Sequence, residues 1–460
     1  MSDPHSRQMF TDSMERSGTY GSWRILLHCR CWLILVGVLL AFPVNAAESQ
    51  RLADVRGVWQ AEFNHDASRL IVRTRQGDIG LWDAKKGTRI NGDPGLTKPS
   101  AAYILSPDAR RFLVGFKDGK ARVFDASSGS AVSPVLDLAL REDAHPQTVF
   151  SPDGATLIFF GEKESSVLEV KTGKRIATIP IVFELEENSD STTAAIFVEG
   201  GAKCFVMDPK GTVTAYQTKT WTPVGKPMSH PAAEMAYDFG FEASSDGKWV
   251  VTFDGPGENG PKGQLQAWDA VASKPLGEPL SAVNGMSGQF LTGQSRLLVQ
   301  SGRGDATVRD LPSMTTAYVI KQHDDIDGPR IQVFPNGKLL AAWGPDNKTD
   351  LIDTVSGRIL KTHTLPVSVA GALISPDSST CYLEVDNSTF LTQGHWDYYL
   401  QRLSIPDWEV TGSIRIVDFL ARKSLSADGR WLVAVQGDSD HERVAVFDTS
   451  TLKPIEWPAR

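Results

Sequence analysis

The chain has 460 residues and a formal net charge of −8 at pH 7. An acidic chain without a broad basic face is a poor match for phosphate backbones, which excludes a general nucleic-acid binder. Hydrophobic residues make up 41% and charged residues 22%, a globular rather than a disordered balance.

The first segment reads as an address. Residues 31–44 form an unbroken apolar run, preceded by Arg24 and Arg30 and followed by Val44-Asn45-Ala46. Basic flank, apolar core and small residues at the cut are the pattern of a secretory signal peptide, so residues 1–46 are expected to be removed. The alternative is an uncleaved anchor over residues 25–44, which would be the chain's one membrane contact. Residues 47–57 read as a short linker, and residues 58–460 as one repeat domain.

The repeat starts at Val58 and yields nine units. Each unit reads as four short strands, a to d. A turn phrase joins a to b: Leu105-Ser106-Pro107-Asp108, Phe150-Ser151-Pro152-Asp153-Gly154, Ser244-Ser245-Asp246-Gly247, Phe334-Pro335-Asn336-Gly337, Ser375-Pro376-Asp377 and Ser426-Ala427-Asp428-Gly429. Strand b follows as a nearly continuous apolar run, such as Leu157-Ile158-Phe159-Phe160 or Trp431-Leu432-Val433. Such a run suits a strand covered on both faces. Strand c closes on a marker: Trp82-Asp83, Phe124-Asp125, Trp268-Asp269, Arg309-Asp310, Ile352-Asp353 and Phe447-Asp448. Units three, four and eight carry weak markers, near Val170, Tyr216 and Leu403.

These phrases, repeated at a steady period, resemble WD40 repeats over residues 58 to about 457. The resemblance implies an all-β fold, a single β-propeller of four-stranded antiparallel blades numbering between seven and nine, in a divergent bacterial secreted protein. A lone blade cannot cover both its faces, so the units are expected to stabilise one another in a closed ring. The resemblance also implies a buried His, Ser/Thr, Asp and Trp hydrogen-bond set in each blade. That set is mostly incomplete here, because the Asp-Gly turn before strand c survives cleanly only at Asp118-Gly119.

In a propeller the b–c and d–a loops open on one side, and that side is the expected binding face. An acidic rim is expected from Glu184, Glu186, Glu187, Asp190, Asp324, Asp325 and Asp327. Its bland reading is solvated surface, since no ordered calcium-loop spacing accompanies it. The unit-eight loop carries His395, Trp396, Tyr398 and Tyr399, aromatic residues of the kind that anchor interfaces. Tyr399 stands close enough to strand c to be packed in the blade instead. His145, His230, His323 and His363 fall near the structural histidine of WD40 repeats. Cys204 and Cys381 read as buried free thiols four units apart.

No nucleophile elbow, zinc-protease helix or Walker loop is present, and no cofactor or metal is expected. The expectation is a non-catalytic, secreted or periplasmic scaffold that binds a protein or peptide partner. The alternatives are an envelope propeller that binds a small ligand or peptide, and a propeller enzyme with an unrecognised channel site.

Overall fold

A computed structural model describes residues 51–457 apart from 94–95, 97–99, 139–147, 162–163, 183–194, 232–238, 255–262, 283–284, 302–304, 322–329, 344–346, 366–367, 387–397, 417–419 and 438–441. The described strands form nine antiparallel sheets in chain order, so all nine units are blades. Sequential strands are neighbours, as a meander requires, except that in blade five Lys274–Pro275 and Leu280–Ala282 both border Gly263–Asp269. Blades one and nine show three full strands, and the Trp82–Arg89 and Phe447–Pro454 bridges stand where the fourth strand would run.

Strand b explains why the units need one another. In blade one (Arg69–Thr74), Leu70 and Val72 pack toward blade nine, while Ile71 packs toward blade two. In blade seven (Leu339–Trp343), Leu340 and Ala342 face blade six, while Ala341 and Trp343 face blade eight. Alternate side chains of one strand thus enter two different cores. Nine apolar clusters result, one for each pair of adjacent blades, and the ninth joins the last blade to the first. The fourth strands are the exposed rim, as in Thr222–Ser229, whose Met228 alone is buried.

The turn phrases have a defined chemistry. The buried hydroxyls of Ser106, Ser151, Ser375 and Ser426 each donate to the aspartate two residues on, at 2.6 Å. Each hydroxyl also accepts the amide five residues on, closing the a–b hairpin. Gly154 sits at φ 63°, and a Cβ there would lie 3.3 Å from the Cβ of Ser106 in the preceding blade. Glycine suits the position, since it adopts the left-handed turn without strain and leaves room for the neighbouring serine. Asp83, Asp125, Asp269 and Asp448 accept backbone amides two and three residues on, which folds the c–d turn.

Four residues past the end of strand c, every blade places a residue at positive φ: Gly87, Gly129, Gly173, Trp221, Ser273, Met314, Gly357, Trp408 and Leu452. Blades three, four and eight keep this turn with Glu169, Gln217 and Ser404 in the marker position. The turn geometry persists where the aspartate is lost.

The ring closes by packing between blades one and nine. The Val58 amide donates to the Glu442 carbonyl at 3.2 Å. The described part of the 47–57 stretch is no free linker. Leu52 is buried, its amide donates to the Gly87 carbonyl at 2.8 Å, and it packs in the cluster that joins the two end blades.

Candidate functional site

The sequence candidates divide into three groups. His395, Trp396, Glu184, Glu186, Glu187, Asp190, Asp324, Asp325 and Asp327 lie outside the described residues, as do His145 and His323. Tyr398 and Tyr399 open strand c of blade eight (Tyr398–Ser404) rather than standing on a loop. Tyr398 is buried against blade nine and Tyr399 packs toward blade seven, because successive strand residues point to opposite faces. Both therefore serve the blade interfaces. His363 stands within the fourth strand of blade seven (Ile359–Thr364), not ahead of a first strand.

His230 occupies a structural place. It is buried, and its Nδ1 lies 2.9 Å from the Thr252 hydroxyl. The same hydroxyl accepts the Trp268 indole N–H at 3.1 Å. This His-Thr-Trp set locks blade five, and burial pushes the His230 imidazole down to about 4. Cys204 and Cys381 are free and buried in separate interfaces, with burial pushing both thiols up.

A surface absent from the sequence candidates stands at the junction of blades one and nine. Trp59, near the start of strand a in blade one (Val58–Phe63), is half-buried. The Arg75 guanidinium carbon lies 4.8 Å from its ring centroid and that of Arg422 lies 3.1 Å away. Arg75 is held bidentately by the buried Glu442 carboxylate. Arg422 donates to the Trp59 carbonyl at 2.6 Å.

Arg422 reaches this place through a bulge in strand a of blade nine (Leu420–Leu425), where the register shifts between Ala421 and Ser424. Its φ is 43°, a left-handed value that a non-glycine residue adopts at a cost of about 1–3 kcal/mol. Burial followed by the Arg422 charge lowers the nearby Arg73, also half-buried. Three guanidiniums thus gather beside a half-buried tryptophan, and they sit at the b–c and d–a ends of their strands. Such a surface favours an anionic contact and supplies the Trp and Arg side chains that dominate interface energetics. The sequence signal was weak: two isolated arginines and a tryptophan from opposite ends of the chain, joined only by ring closure.

Burial pushes the Glu62 and Glu242 carboxyls up, and these two stand apart, on the first strands of blades one and five. Among the described residues, no three His, Cys, Asp or Glu side chains converge as metal ligands would.

Comparisons with known proteins bear on the fold. No family model matches the chain, and no curated protein matches it. A solved structure of a eukaryotic initiation factor superposes with a TM-score of 0.63 at 14% identity, covering 84% of this chain and 94% of that one. That likeness bears on the fold alone, and the chain's own nine sheets, with the last packed on the first, make the fold a β-propeller. The C-terminal WD40 domain of Sif2 (TM-score 0.47, 13% identity, 73% and 95% covered) and the computationally designed protein Ika8 (0.46, 11%, 75% and 95%) are also similar.

Proposed function

We propose that this chain is a non-catalytic WD40-repeat protein that acts as an extracytoplasmic protein–protein interaction scaffold. The observation that supports the reading is the Trp59 surface, where a strained backbone at Arg422 delivers a second guanidinium onto the ring. Strain held at an exposed residue points to use. The partner would present carboxylates to Arg75 and Arg422 and an apolar group to Trp59. The unit-eight loop residues His395 and Trp396 are a second proposed anchor, from their sequence alone. Removal of residues 1–46 would place the ring in the periplasm or outside the cell.

The test is chemical crosslinking with mass spectrometry in the source cell, comparing wild type with Trp59→Ala and Arg422→Ala. Crosslinks from this face to one partner protein, lost in both variants while melting is unchanged, support the scaffold reading. Crosslinks that persist in both variants refute this surface. The mature N-terminus read in the same experiment, at residue 47, supports the localisation; an intact residue 1 refutes it.

A second reading, binding of a small ligand, is favoured by a cavity in blade one.

A further inference from the structure

Blade five shows what normally fills the space beside a strand-c tryptophan. Trp268 stands opposite Val250, and two residues along strand b Thr252 accepts its indole N–H and meets His230. Blade one has the same register: Trp82 stands opposite Leu70, and two residues along strand b comes Val72. Valine has no acceptor. The Trp82 indole nitrogen is buried and has no hydrogen-bond partner among the described residues, which leaves a donor unsatisfied at a cost of about 1–3 kcal/mol. Beside it lies a cavity of about 200 Å³. Its wall combines Trp82 and Arg89 with the apolar Val55, Val72 and Leu96, and Asp78 stands at its exposed side. Gly80 supplies the room, since a Cβ there would lie 2.6 Å from the indole nitrogen.

We propose that this cavity binds a small apolar carboxylate. The indole N–H and the Arg89 guanidinium, whose carbon lies 6.0 Å from the Trp82 ring, supply donors for the acid group. Val55, Val72 and Leu96 cover the apolar body. The volume is below the roughly 300–1,000 Å³ of drug-sized sites, so the ligand is of amino-acid size. Two sources share this chemistry: a simple branched or aromatic acid, and an apolar α-amino acid whose ammonium would meet Asp78.

The test is calorimetric titration of the purified chain with isovalerate, with leucine and with isovaleramide. The inference predicts saturable binding of at least one acid at millimolar concentration, and binding of the uncharged amide that is weaker by about tenfold or more. Trp82→Phe and Arg89→Gln, each checked for an unchanged melting temperature, should each weaken the acid by about tenfold. Tighter binding of leucine than isovalerate, lost in Asp78→Asn, identifies the amino acid; equal or weaker leucine binding identifies the simple acid. No saturation by either acid would overturn the inference, and so would an amide that binds as well as the acid. The wild-type titrations decide this even where a variant fails to fold.

Discussion

Lys423 and Glu384 join strand a of blade nine to strand b of blade eight (Thr380–Asp386) through a buried ion pair. The Glu384 side chain is 0% exposed and that of Lys423 16%, so water screens neither charge well. Lys423→Met takes this partner away from the buried carboxylate. Breaking a buried pair by removing one partner typically costs about 3–5 kcal/mol, and that is the destabilisation expected here. Adding Glu384→Leu should recover most of it, since an apolar pair leaves no buried charge. The assay is urea denaturation of wild type, both single variants and the double variant, followed by tryptophan fluorescence. A loss below about 1 kcal/mol, or a double variant no more stable than Lys423→Met alone, would refute the reasoning.

Further outcomes follow from other sites. His230 is held neutral by burial, with a folded value of about 4 against roughly 6.5 unfolded, so its contribution is full above pH 6.5 and declines as pH falls toward 4. Wild type should lose about 2 kcal/mol more than His230→Gln between pH 7.5 and pH 5, read from melting curves; parallel losses would contradict the burial. Thr252→Val removes the partner of both Trp268 and His230 and should cost about 1–3 kcal/mol, measured the same way. Gly154→Ala should cost about 1 kcal/mol or more, since its new Cβ would meet the Cβ of Ser106 at 3.3 Å. Ala109, at φ 51° in the same turn of blade two, shows that the backbone alone does not forbid a Cβ; a neutral Gly154→Ala would mean that the neighbouring turn yields freely.

Much of the architecture was legible because it repeats. The apolar run of strand b, the serine-aspartate turn and the aspartate after strand c are each fixed by local chemistry, so they survive as sequence signals. The turns after Glu169, Gln217 and Ser404 were faint because a left-handed residue four positions on holds the geometry without the aspartate. Tyr398 and Tyr399 illustrate a boundary error. Strand c begins at Tyr398, two residues past Trp396, and that start sends both rings into blade interfaces. The Trp59 surface was illegible for a different reason. Trp59 and Arg422 lie 363 positions apart and meet only when the last blade docks on the first. The blade-one cavity needed the register of two blades side by side, because its signal is a valine where another blade has threonine.

Closure of the ring underlies both proposed sites. Hydrogen exchange read by mass spectrometry tests it most directly, by comparing strand b of the end blades (Arg69–Thr74 and Trp431–Gln436) with strand b of blade seven. A closed ring buries all three equally, so the account predicts comparable slow exchange in the three strands. Exchange in both end blades that is much faster than in blade seven would mean that they fray apart in solution, and the closed nine-bladed ring would be contradicted.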